Sequence, residues 1–218
     1  MNLLKPLFHV CMAMVAASVS FAAAAQSASY SLNATDVSAF GSGSFGSVSL
    51  TQSASDVLVR VSLRSDLNFV DTGSHSLFSF NLGGVSSKND IGGITFASGL
   101  NGVFGVEDGS TNSPFSKFTY EINCVSKCTP GGSGGGYVDP LSFTVHNALV
   151  SEFAQLSTGK GTGAYFAADV INLSGNTGVI GATVAAVPEP ETYAMLLAGL
   201  GLMGWTARRR NRSSVAGV

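Results

Sequence analysis

The stretch DVLVRVSLR, residues 56–64, alternates with a period of two. Val57, Val59, Val61 and Leu63 fall on one side, and Asp56, Arg60, Ser62 and Arg64 fall on the other together with Leu58. Only an extended backbone sends successive side chains to opposite faces, so this spacing predicts a half-buried strand. LFSFNL repeats it with Phe78, Phe80 and Leu82, KFTYEIN with Phe118, Tyr120 and Ile122, and LSFTVHN with Leu141, Phe143 and Val145. GAYFAADVINL and TGVIGATV supply two more strands near the end, and SYSLNA, GSVSLTQ and GITFAS are further candidates. Short strands at this density, parted by Gly, Ser and Asn turns, predict an all-β fold, an antiparallel β-sandwich or jelly-roll-like domain. One stretch, NALVSEFAQL, has helical spacing, and Leu149, Phe153 and Leu156 predict a short crossover helix there.

The polar surface of such a domain is built here from Ser, Thr, Asn and Gly. Charged residues are 11% of the chain, against about 25% in an average soluble protein. Between Gln26 and Val187 there are eleven acids and six bases, whereas Arg208, Arg209, Arg210 and Arg212 cluster beyond it. The middle is therefore acidic and offers no basic stripe for nucleic acid.

Both ends are apolar. Met1 to Ala25 has Lys5 near its start, an apolar run from Leu7 to Phe21 and a small-residue exit. These are the three parts of a secretory signal peptide, with the cut expected after Ala25. At the other end TYAMLLAGLGLMGWTA, Thr192 to Ala207, carries no charge. As a helix of about 1.5 Å per residue it would be somewhat shorter than the ~30 Å hydrocarbon core. Tyr193, Trp205 and the arginines are suited to the interfaces, which makes the run a stop-transfer anchor with Arg208 to Arg210 and Arg212 as its cytoplasmic topology signal.

VPEP at Val187 to Pro190, the Gly-containing apolar run and the terminal Arg cluster together resemble the PEP-CTERM sorting signal of Gram-negative bacteria. In that family Pro-Glu-Pro is the recognition motif, here Pro188, Glu189 and Pro190. A membrane-embedded cysteine protease, exosortase, is the partner that the resemblance implies, and exopolysaccharide and biofilm production is the setting. Two prolines hold the backbone extended, as a protease cleft requires. The expected organisation is a signal peptide (1–25), an exported β-sandwich domain (26–187), a sorting signal (188–212) and a cytoplasmic tail (213–218). The domain would stand in the periplasm on a transient inner-membrane anchor, then reach the cell surface or the medium.

Within the domain, Cys124 and Cys128 are the cysteines left once the signal is removed. A disulfide is the simplest reading of an even pair in an exported chain, with free thiols or a metal pair as alternatives. It would shape the tip of a hairpin joining KFTYEIN to LSFTVHN. The run from Gly131 to Gly136 leads into a strand and not a helix N-terminus, so it reads as a flexible loop and not a phosphate cradle. His75 is expected in an exposed loop and His146 at a strand end. Neither belongs to a hydrolase motif, and no catalytic residue, metal site or cofactor is predicted. Asp66, Asp71, Glu107 and Asp108 could supply calcium oxygens, but Asx-turns account for them more simply. Asn33 and Asn172 open glycosylation sequons to which no role is given. A non-enzymatic, exosortase-processed protein of the extracellular matrix is the favoured reading. The alternative is an extracellular carbohydrate-binding module or hydrolase on a β-sandwich scaffold.

Overall fold

A computed structural model describes residues 26–84, 87–97, 103–126, 128, 136–138, 140–185, 187–188 and 196–203. The signal segment 1–25, Glu189, Pro190 and the four tail arginines lie outside them. The described strands are β1 (Ser27–Leu32), β2 (Ala34–Thr35), β3 (Gly46–Ser53), β4 (Asp56–Leu63), β5 (Leu67–Phe69), β6 (Phe78–Phe80), β7 (Ile91–Phe96), β8 (Val103–Asp108), β9 (Tyr120–Ser126), β10 (Leu141–Val145), β11 (Phe166–Asn172), β12 (Thr177–Ala182) and β13 (Val187–Pro188). They pair antiparallel into two sheets. Sheet A runs β13-β1-β3-β4-β10-β7, and sheet B runs β2-β12-β11-β6-β9-β8, with β5 on β11.

The alternation becomes burial as expected. Val57, Val59 and Val61 are fully buried, whereas Leu58 is 46% exposed. The sheets meet through aromatic side chains: Phe80 of sheet B lies 5.2 Å, centroid to centroid, from Phe143 of sheet A, and Phe166 of sheet B lies 4.9 Å from Tyr30 of sheet A. One contiguous core joins both inner faces, as two sheets each apolar on one side must form.

Sheet B is covered on its outer face too. Phe115 and Phe118 fold over Ala167 and Val179 there, making a second small apolar cluster with Ala164. The covering segment is pinned by paired backbone bonds between Lys117 and Thr158, 2.9 and 3.0 Å, and by Asn112 donating to the Ser76 carbonyl and the Ser79 hydroxyl. Gly181 is required beneath it, because a Cβ at that position would sit 2.8 Å from the Phe115 ring.

Three expectations are corrected. KFTYEIN and LSFTVHN do not form a hairpin: β9 belongs to sheet B and β10 to sheet A. The connection instead crosses between sheets, and on its way Tyr137 pairs with Phe69 through two backbone bonds of 2.7 and 3.0 Å. Phe118 does not share the face of Tyr120 and Ile122, since it precedes β9 and packs in the outer cluster. NALVSEFAQL makes only a 3-10 turn at Val150–Phe153; Phe153 is buried, but Leu149 and Leu156 are about half exposed, at 53% and 48%.

Candidate functional site: the sorting junction and an acidic pocket

The chain leaves the sandwich at the corner where it enters. After β12, the Thr183 amide and hydroxyl both donate to Asn33 Oδ1 at 3.2 Å, tying the exit to the end of β1. Val187 and Pro188 then return along β1 as an edge strand, in the register Ser29↔Val187 and Ala28↔Pro188. Their backbone directions follow from a single bond on the other side of β1. Gln52 donates to the Gln26 carbonyl, so even-numbered residues of β1 turn their backbone groups to β3, and odd-numbered ones turn theirs to β13. Ser29 and Val187 are thus the hydrogen-bonded pair, and Pro188 falls at a position whose backbone groups point away from β1. The missing N–H of proline costs no ladder bond there. Strand β13 straddles the expected boundary between domain and signal.

Residues 196–203 form a helix with Leu196, Leu197, Leu200, Leu202 and Met203 exposed. Every residue of this helix is apolar or glycine. No helix among the described residues is long and apolar enough to cross a membrane, and these eight are about half of the expected span.

Cys124 and Cys128 are joined by a disulfide, with Cα atoms 5.6 Å apart. It closes the end of β9 beside a pocket of about 240 Å³ whose walls include Asp71, His75, Glu107, Glu121 and Asn123. The pocket lies on the outer face of sheet B. Its carboxylates are already engaged: Glu121 accepts from Ser76, from the amide and hydroxyl of Ser110 and from Asn123, while Glu107 also accepts from Asn123 at 3.0 Å. Asp71 accepts from the Cys124 amide at 3.2 Å and from the Gly73 amide at 3.0 Å, the second bond being an Asx-turn. Of the four acids considered as calcium oxygens, Asp66, Asp71, Glu107 and Asp108, the pocket brings together only Asp71 and Glu107. Asp66 instead pairs with Arg64 at 2.5 Å, and Asp108 with Lys88 at 3.1 Å. Among the described residues no group of three His, Cys, Asp or Glu could hold a metal ion.

His75 lies in the loop between β5 and β6 but is half-buried rather than exposed, and its Nδ1 is out of contact with water and without a hydrogen-bond partner. His146 stands just past the end of β10, with Nδ1 2.9 Å from Asp56 Oδ2. This bond is the first cause that holds the Asp56 carboxyl below its ordinary range.

Sequence reasoning passed over Asp169, a lone acid inside the otherwise apolar run YFAADVI. It is fully buried on the outer face of β11, where Thr72 donates to Oδ2 through both its amide and its hydroxyl and Oδ1 has no partner. Burial pushes its pKa up to about 6; the Thr72 bonds and His75 oppose the rise, and Asp71 adds to it. A carboxyl raised in this way favours the folded state fully below its unfolded value near 4, and that contribution is lost as pH climbs through 6. Asp169→Asn keeps the oxygen that accepts from Thr72 and removes the buried charge. It is expected to stabilise the domain at pH 7 by on the order of 1–3 kcal/mol and to leave it unchanged at pH 4. Denaturant titrations of both proteins at the two pH values would check this; an equal difference at both would refute it.

Against known proteins, residues 186–210 match the family described as the PEP-CTERM protein-sorting motif. No curated protein matches the chain, and no solved structure does. The matched segment begins at the edge strand on β1, spans the exposed helix and ends within the arginine cluster. The chain therefore carries a PEP-CTERM protein-sorting motif over residues 186–210, and that motif implies export, targeting to exosortase and a membrane-anchored sorting signal before processing.

Proposed function

We propose that the sandwich is a non-enzymatic component of an exopolysaccharide-containing extracellular matrix, delivered there by removal of its sorting signal. The observation that carries this reading is the sorting motif itself, attached directly to the last strand of a single folded domain. The acidic pocket supports it, since the chain's own amides and hydroxyls already occupy its carboxylates and hold loops in place. A free general acid and base are what a glycosidase needs.

A carbohydrate-binding role is the second reading. A groove of about 470 Å³ is lined by Asn81, Thr119, Gln155 and Thr158, whose amide and hydroxyl groups are of the kind that meet sugar hydroxyls, and by the ammonium of Lys117. Its aromatic member, Phe118, is only 1% exposed and offers no stacking surface.

Sedimentation of the processed protein with exopolysaccharide from a producing host tests the proposal. Most of the protein is expected in the polysaccharide pellet, with no shortening of the polymer. Recovery in the supernatant, or release of reducing ends, would count against it. Gln155→Ala separates the readings: loss of sedimentation with this variant favours a defined sugar site in the groove.

A further inference from the structure

The first strand of the exported domain and the first residues of the sorting motif are partners in one sheet. Strand β1 begins two residues after the expected signal-peptide cut, and the strand on its outer edge is Val187–Pro188. Nothing in the sorting motif requires this pairing, because recognition of Pro188, Glu189 and Pro190 needs only an extended segment.

We propose that β1 positions the chain for processing. It holds the backbone through Val187 within the folded domain, so that exosortase cuts only on the C-terminal side of Pro188. The released protein then keeps Val187 and Pro188 as the outermost strand of sheet A. Processing of this bond class breaks a peptide C–N bond, the carbonyl taking the hydroxyl of water and the departing amine its proton.

Backbone direction supplies the argument. A protease takes its substrate as an extended strand and pairs with the substrate's own N–H and C=O groups. Those of Val187 are committed to Ser29 in the hydrogen-bonded register. A cut at Val187, or one whose protease contacts reach Val187, would first require β13 to be stripped from β1. At Pro188 the parity reverses and its carbonyl points out from the sheet edge, accessible to an enzyme. Pro188 agrees with this placement, since it has no N–H to lose at a position that uses none.

The device rests on exosortase targeting, and the experiment separates the two. The full chain is expressed in an exosortase-containing host, and the C-terminal residue of the released protein is identified by mass spectrometry. Wild type is expected to give one terminus at or beyond Pro188. Ser29→Pro removes the N–H that meets the Val187 carbonyl, and by the same parity it takes no bond from the β3 ladder. It is expected to give a ragged set of termini reaching back before Val187, at a tenth or more of the product. Ser29→Thr keeps the N–H and should restore a single terminus. An unchanged single terminus in Ser29→Pro would overturn the proposal, as would a wild-type terminus before Val187. An uncut wild-type chain would overturn the motif's role as well. Amide hydrogen exchange on the processed wild-type protein tests the same contact without a variant. Val187 should exchange at least tenfold more slowly than an unstructured amide, and exchange at the unstructured rate would overturn the proposal.

Discussion

Replacing Pro188, Glu189 and Pro190 together by alanine is expected to abolish processing and leave the whole chain in the membrane fraction. The substitution removes both residues that fix an extended backbone and the carboxylate between them. It leaves the apolar helix and the arginines intact. Those arginines resist translocation, at roughly 2.5–3.5 kcal/mol for each one placed in mid-membrane, so the uncut chain stays anchored. Ending the chain after Val187 removes the anchor and should release the domain without any protease. Alkaline extraction of membranes followed by an immunoblot for size distinguishes the three species: processed, uncut and truncated. Normal cleavage of the triple-alanine chain in an exosortase host would refute the role of the motif.

Phe80→Ala should cost about 3–5 kcal/mol of domain stability, the usual range for emptying a buried phenylalanine site. Phe80 is fully buried, and four rings surround it within 6.1 Å between centroids: Phe78, Tyr120, Phe143 and Phe153. Phe143 belongs to the opposite sheet, so the cavity would open at the seam between the layers. Native domains hold only about 5–15 kcal/mol in total, and a large fraction of the variant would be unfolded in mild denaturant. Phe80→Leu fills most of the same space and should cost much less. Urea titration of the processed proteins would check the order, and a loss below 1 kcal/mol for the alanine variant would show that the ring is not central to packing.

The strands with one face on the core and the other in solvent were the legible ones. β4 and β10 alternate cleanly because one face of each meets the core and the other meets solvent. β8 was not recognised: VFGVED interrupts its alternation with a glycine and ends in two acids, and in the fold it is the outer strand of sheet B, with little of it deeply buried. The supposed hairpin between β9 and β10 failed for a different reason. Two amphipathic strands joined by a glycine-rich segment read alike whether they pair side by side or face one another across a core. Phe118 and the acidic pocket were hidden by the same fact, that loops cover the outer face of sheet B. Period-two reasoning assigns that face to water, whereas Glu121 is buried there beneath the covering loops. The sorting motif over residues 186–210 was readable, because proline geometry, an apolar run and clustered charge act locally and need no partner in the fold. Its pairing with β1 was not, since two residues carry no periodicity.

The meeting of Ser29 with Val187 makes the exported domain close to a ring. Its path starts and finishes on neighbouring strands, so a few residues of linker would join the ends without disturbing either sheet, and a new opening could be made at the turn between β11 and β12, around Leu173 and Ser174. The same closeness means that a host protein could accept the sandwich as an insertion in one surface loop, with entry and exit a single strand spacing apart, about 5 Å. As a sorted cargo, the fold is therefore a module whose attachment point occupies one corner and leaves the remaining perimeter of both sheets unencumbered.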